Sequence, residues 1–169
     1  MRIRAKIIFV VVPILMSSLI ITGVVSSLSA RSGMTRIAIE FLGFKADELE
    51  NYAYSQWNLL EQNRLQEDER YLTVAKNAVA SYARSIIRSE TELILALDSD
   101  ARVAMSTSDV ELTVVEKARL YRKIHQGEEG WIDFTLGGVH RVGQSFQFVP
   151  FEWYVLVTEN SDAFYREAD

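Results

Sequence analysis

Three cations (Arg2, Arg4 and Lys6) open this chain, and the next 24 residues, 7–30, carry no charge and are mostly Ile, Val and Leu. At about 1.5 Å of rise per residue, a helix of that length matches a hydrocarbon core about 30 Å thick. Pro13 and Gly23 do not disqualify it, because membrane helices tolerate both. A basic cluster beside a first apolar segment tends to stay in the cytoplasm, so the reading is a single-pass anchor in the inner (cytoplasmic) membrane with everything from about Arg31 onward outside. A cleaved signal peptide is the competing reading, with Ser27 and Ser29 near a cleavage point. The apolar run outlasts the 7–15 residues of a usual signal core, and either reading exports the rest of the protein.

Beyond residue 30, 15 Lys/Arg face 23 Asp/Glu. That acidic balance excludes a nucleic-acid partner, which needs a basic face. The absence of cysteine excludes disulfides, thiolate metal sites and Cys nucleophiles. The two histidines, His125 and His140, lie in no metal-binding or nucleophile–base spacing, and no Walker, dinucleotide or GxSxG signature occurs. No enzyme, metal or cofactor is expected.

Between Gly43 and Gly127 there is neither Gly nor Pro. Ala38, Leu42, Ala46, Leu49, Ala53, Trp57 and Leu60 recur at helical spacing, and a second stripe follows at Leu72, Ala75, Val79, Tyr82 and Ile86. Residues 61–70 hold one large apolar residue, Leu65. With no breaker present, one long helix over 34–88 is expected, its exposed stripe at Leu49, Ala53 and Leu60 meeting a second copy of the chain. An antiparallel helical hairpin within one chain is the alternative.

After Ser89 the period shortens. ELILAL (92–97) is apolar on both faces, as a central strand is. Asp98, Ser99 and Asp100 supply a turn, and RVAMS (102–106) alternates as a half-buried strand. Ser108 and Glu111 have capping-box spacing, so a helix is expected from there through Val110, Val114, Ala118 and Tyr121, ending at Gly127. Three strands follow, over 130–136, 139–149 and 153–159. Gly137-Gly138 forms a tight hairpin between the first two. Five antiparallel strands with helices on one face make an α+β domain. The expected divisions are 1–30 anchor, 31–90 helical stalk, 91–160 α+β domain and 161–169 tail.

This order, with ELILALDSDARVAMSTSD as a first hairpin and HRVGQSFQFVPFEWYVLVTE as a closing one, resembles the Cache-type, PAS-like sensor domains found outside bacterial membranes. Asp98, Trp131, Gly137 and Trp153 carry most of the likeness, which covers residues 31–165. The resemblance implies a five-stranded sheet, a ligand pocket between its concave face and the connecting helix, and a dimeric receptor signalling through its helices. In such proteins a second membrane helix and an output module follow the domain. A chain stopping at Asp169 is then either part of a receptor or a subunit whose output lies elsewhere. The Tyr-Arg-Trp-Asp arrangement of amine-binding double modules is absent, so no amino-acid ligand is assigned.

The ligand-site candidates are Arg119 and Tyr121 on the connecting helix, Trp131 and Asp133 on one face of a strand, and Arg141 on the next. An aromatic beside paired Arg and Asp suits a small zwitterion or carboxylate. The simpler reading makes Trp131 core and joins Asp133 to Arg141 as an exposed cross-strand pair. A third fills the pocket with Phe134, Phe146 and Phe148. As a whole the sequence reads as the sensory part of a bacterial membrane receptor, with the bilayer, a second copy and a small molecule as partners. The alternative is an anchored protein-interaction subunit of the cell envelope.

Overall fold

A computed structural model of the chain describes residues 3–167. Helix α1 runs over Ile3–Gln62 and α2 over Glu69–Ile86. Strands β1 (Glu92–Leu97) and β2 (Val103–Ser106) follow, then α3 (Val114–Gln126), β3 (Gly130–Leu136), β4 (Val139–Phe148), β5 (Trp153–Asn160) and a short α4 (Ser161–Glu167). Five antiparallel strands form one sheet in the order β2-β1-β5-β4-β3.

The single helix expected over 34–88 is broken, and its two halves fold as the hairpin kept as the alternative. The break is a left-handed helix end built without glycine. Arg64 takes φ 57°, its N–H donates to Glu61 O at 3.0 Å, and Leu65 N–H donates to Leu60 O at 2.8 Å. That is the Schellman arrangement, complete with its apolar contact, since Leu60 and Leu65 join the same cluster. Asp68 then caps α2 by accepting from Arg70 N–H. Upstream there is no break: α1 continues through residues 12–26, whose side chains are all exposed, into the N-terminal run. Among the described residues no helix is long and apolar enough to cross a membrane. The described side chains of the 7–30 run, at 12–26, form a stretch shorter than the about 20 residues a span needs.

Folding back changes what the α1 stripe touches. Leu49, Ala53 and Leu60 are 1%, 2% and 7% exposed, buried against α2 and the sheet rather than available to a second copy. Ala75 and Val79 of α2 complete that layer, packing with Ile94, Val142, Phe146, Phe148, Val155 and Val157 from one sheet face. The opposite face carries Leu93, Leu95, Leu97, Ile132, Phe134, Leu136 and Leu156, covered by Leu120 and Ile124 of α3. Helices therefore cover both faces, not one, as β1 and β5 require by being apolar on both sides.

Helix α3 starts later than expected. Its capping box is Thr113 with Glu116, not Ser108 with Glu111, and it buries Glu116 and Leu120 while Val114, Ala118 and Tyr121 face solvent. Val110 and Leu112 precede it as an extended strap on the core. Glu116 does two jobs. One carboxylate oxygen accepts from Thr113 N–H at 2.7 Å, and the other accepts from Gly138 N–H at 3.2 Å. The helix start is thus tied to the Gly137-Gly138 turn, where φ of 57° and 76° gives the expected tight hairpin. A Cβ on Gly137 would stand 2.7 Å from Val110 Cγ2, so the strap needs glycine there too. Burial alone would push the Glu116 carboxyl up, but the hydrogen bonds from Thr113 and the two glycines outweigh it and hold it below the ordinary glutamate value.

One ion pair joins α1 to the sheet. Lys45 Nζ donates to both carboxylate oxygens of Glu92, each at 2.6 Å, with the two side chains 4% and 9% exposed. Glu92 also accepts from Arg88 N–H at 2.9 Å, so the end of α2 joins the same point. Beside it, Gly143 of β4 lies so close to β5 that a Cβ would stand 2.0 Å from Val157 O.

Two outcomes follow. Lys45→Ala leaves a buried carboxylate unpaired and is expected to cost about 3–5 kcal/mol in chemical denaturation, whereas the apolar pair Lys45→Met/Glu92→Leu recovers most of that loss. Glu116→Ala is expected to cost about 1–2 kcal/mol at neutral pH. Because the folded carboxyl titrates below its unfolded value, this stabilisation is complete above the ordinary glutamate pKa. It fades as pH falls through the depressed folded value, so wild type and variant converge in acid denaturation scans.

Candidate functional site

Between α3 and its sheet face most of the space is filled by leucines and Phe134. At the C-terminal end of α3 the filling stops. A cavity of about 240 Å³ remains, lined by Ser99, Ile124, Gln147, Val149, Glu152, Trp153 and Tyr154. Each wall has a local cause. Ser99 sits in the β1–β2 turn, where Asp98 Oδ1 accepts from Asp100 and Arg102 N–H, both at 2.9 Å, and Ala101 takes φ 58°. Val149 belongs to a 3-10 turn, Val149–Phe151, that closes on Glu152 in the left-handed region at φ 55°. Gln147 and Tyr154 are register partners on β4 and β5, so their side chains share the face below α3.

Gln147 holds the helix over the cavity. Its Nε2 donates to Ile124 O at 2.8 Å, and its backbone N–H donates to Glu129 Oε1 at 2.7 Å. Tyr154 is the unusual wall. It is 1% exposed, and its hydroxyl is buried with no hydrogen bond of good geometry among the described residues, although the Ser145 side chain is close enough to act on it. Burial pushes its phenol up from the ordinary value. A buried tyrosine normally finds a partner for its hydroxyl, and leaving a polar group unmatched costs about 1–3 kcal/mol.

The residues singled out from the sequence do not converge here. Arg119 is exposed and borders a shallow cleft with Arg122, Lys123, Gln126 and Glu128. Tyr121 lies on the solvent side of α3, stacked 4.0 Å from His125. Trp131 and Asp133 do share a face, but it is the face toward α1 and α2. Trp131 is partly exposed there, 5.9 Å from Phe164 of α4. Asp133 pairs with His140 at 3.0 Å, not with Arg141. Arg141 is in register with Phe134, on the α3 side, and its Nη1 donates to Thr91 O at 2.8 Å. Burial lowers the pKa of this guanidinium, and Glu159 partly offsets it. Phe134 fills the α3 side while Phe146 and Phe148 fill the other, so no pocket is packed by all three. Tyr154 escaped notice because the strand WYVLVTE reads as uniformly apolar. The one available signal was a phenol in a strand with no polar alternation to bring its hydroxyl to water.

No family model matches this sequence, and no curated protein matches it. Solved structures do. A Cache chemosensory domain, described for its recognition of carboxylic acids, superposes with a TM-score of 0.57 at 11% identity, covering 78% of this chain and 98% of the other. The periplasmic sensor domain of a chemotaxis protein gives 0.52 at 16% identity, covering 80% and 98%. Identities this low carry the fold alone, and the fold of this chain is that of the Cache-type, PAS-like sensor domains.

Proposed function

We propose that this chain is the extracytoplasmic, ligand-sensing part of a membrane receptor, binding a small molecule in the cavity below α3. The observation that carries the reading is the cavity left at the end of α3, walled by Tyr154 and Gln147, in a sensor-type fold. The cavity is smaller than the roughly 300–1,000 Å³ of drug-sized sites. Its polar walls are the neutral groups of Ser99, Gln147 and Tyr154 and the carboxylate of Glu152, which favours an acid that enters in its protonated form. A short-chain carboxylic acid suits it, one oxygen accepting from Tyr154, and one structural neighbour is known for carboxylic acid recognition.

The anchor is the uncharged 7–30 run, continuous with α1. Signalling requires a ligand that favours one of two packings. Gln147 grips the end of α3 from β4, β4 pairs with β5, and β5 pairs with β1, whose Glu92 holds Lys45 of α1. A shift of α3 thus has a hydrogen-bonded route to the helix that enters the membrane. The partner of α1 in this reading is a second copy, meeting it not at Leu49 but along Ile37, Phe41 and Phe44, which are 67%, 39% and 65% exposed at i, i+4, i+7 spacing.

The ligand reading is tested by a thermal-shift screen of the chain in detergent against short-chain carboxylic acids. One of them is expected to raise the melting temperature, and Tyr154→Phe is expected to weaken its binding about tenfold. A flat screen, or full affinity in the variant, counts against it. The dimer is tested by cysteine crosslinking in membranes, which is clean because the chain has no native cysteine. Ile37→Cys and Phe44→Cys are expected to trap dimers while the buried Leu49→Cys does not. Failure at both exposed positions removes the second copy.

A further inference from the structure

A second cleft of about 340 Å³ runs between α2 and the edge strand β2. Its α2 wall is one helix face, with Lys76, Ala80 and Arg84 at four-residue steps and Asn77 next to Lys76. Met105 and Trp153 form the opposite, apolar wall. Lys76 Nζ lies 5.8 Å from the Phe151 ring centroid and 5.9 Å from that of Trp153, so the aromatic wall holds the ammonium over the cleft. Among the described residues no carboxylate lies within ion-pair distance of Lys76 or Arg84. Two uncompensated cations facing one cleft stand out in a chain of net charge −5.

The spacing selects the ligand. Lys76 and Arg84 are eight residues apart, about 12 Å along the helix. Midway between them the side chain shrinks to Ala80, which is buried and leaves the gap that the cleft occupies. Cation, apolar gap, cation is the complement of an anion with charge at both ends and an apolar middle. From this juxtaposition we infer a second binding site, for a linear dicarboxylate lying along α2 with one end on Lys76, the other on Arg84 and its methylenes over Ala80 and Met105. Asn77 supplies an amide donor within the same stretch. The site shares Trp153 with the Tyr154 cavity and is otherwise built from α2 and β2, so it does not depend on that reading.

Isothermal titration calorimetry on the chain in detergent tests it with adipate, and with hexanoate as the probe of equal length and one carboxylate. Adipate is expected to bind, and hexanoate about tenfold more weakly. Lys76→Gln and Arg84→Gln, at positions where the head groups face a cleft, are each expected to lose about tenfold. Ala80→Leu fills the gap and is expected to abolish binding, with far-ultraviolet circular dichroism confirming that it folds. Tyr154→Phe is expected to leave adipate affinity unchanged. The inference fails if adipate gives no heat of binding, if the Lys76→Gln/Arg84→Gln double variant binds it as wild type does, or if Tyr154→Phe removes it.

Discussion

Strands β1 and β5 lie in the middle of the sheet and carry large apolar side chains on both faces. Nearly every later feature of the architecture answers that condition. Apolar surface contributes to stability in proportion to the area withdrawn from water, so each face must acquire its own cover. One face receives the α1–α2 hairpin, and the other receives α3 with the strap before it. The long N-terminal helix is therefore a layer of the core as well as a connector. Its apolar stripe is spent on the sheet, and only the part toward its amino-terminal end remains exposed.

The polar contacts fall where these layers meet. Lys45–Glu92 joins the first layer to β1, and Glu116 joins the start of α3 to the β3–β4 turn. Gln147 joins the end of α3 to β4. Buried polar groups are tolerated when matched, and these are matched. Among the described residues Gln66 Oε1, Arg141 Nε and the Tyr154 hydroxyl are the exceptions, and Tyr154 lies where the packing below α3 leaves room.

The strands were readable from the sequence because their signals are local. ELILAL and WYVLVTE declare themselves by unbroken apolar runs, and Gly137-Gly138 by its turn chemistry. The helix break was not readable, because the residue that takes the left-handed conformation is Arg64, and nothing in an arginine announces it. The start of α3 was misjudged because Ser108–Glu111 and Thr113–Glu116 satisfy the same capping pattern; contact with the Gly137 turn decides between them. The site was illegible for a related reason. A cavity is a gap between distant segments, here 99, 124, 147 and 154, and no spacing along one strand reports it. The candidates drawn from strand periodicity, Trp131, Asp133 and Arg141, share a neighbourhood in sequence but occupy two sides of the sheet.

The continuity of α1 has a mechanical meaning. From Lys45 toward the amino terminus α1 continues as one helix, and Pro13, which lacks an N–H to donate, is its one internal proline. Between Lys45 and the uncharged run such a rod has no hinge in which motion could dissipate. Whatever slides or turns Lys45 also slides or turns the apolar segment some twenty residues, about 30 Å, away. Inserting a pair of glycines between Ile37 and Lys45 would convert a stiff shaft into a slack tether, leaving the sheet and its helices folded but uncoupled from the apolar segment.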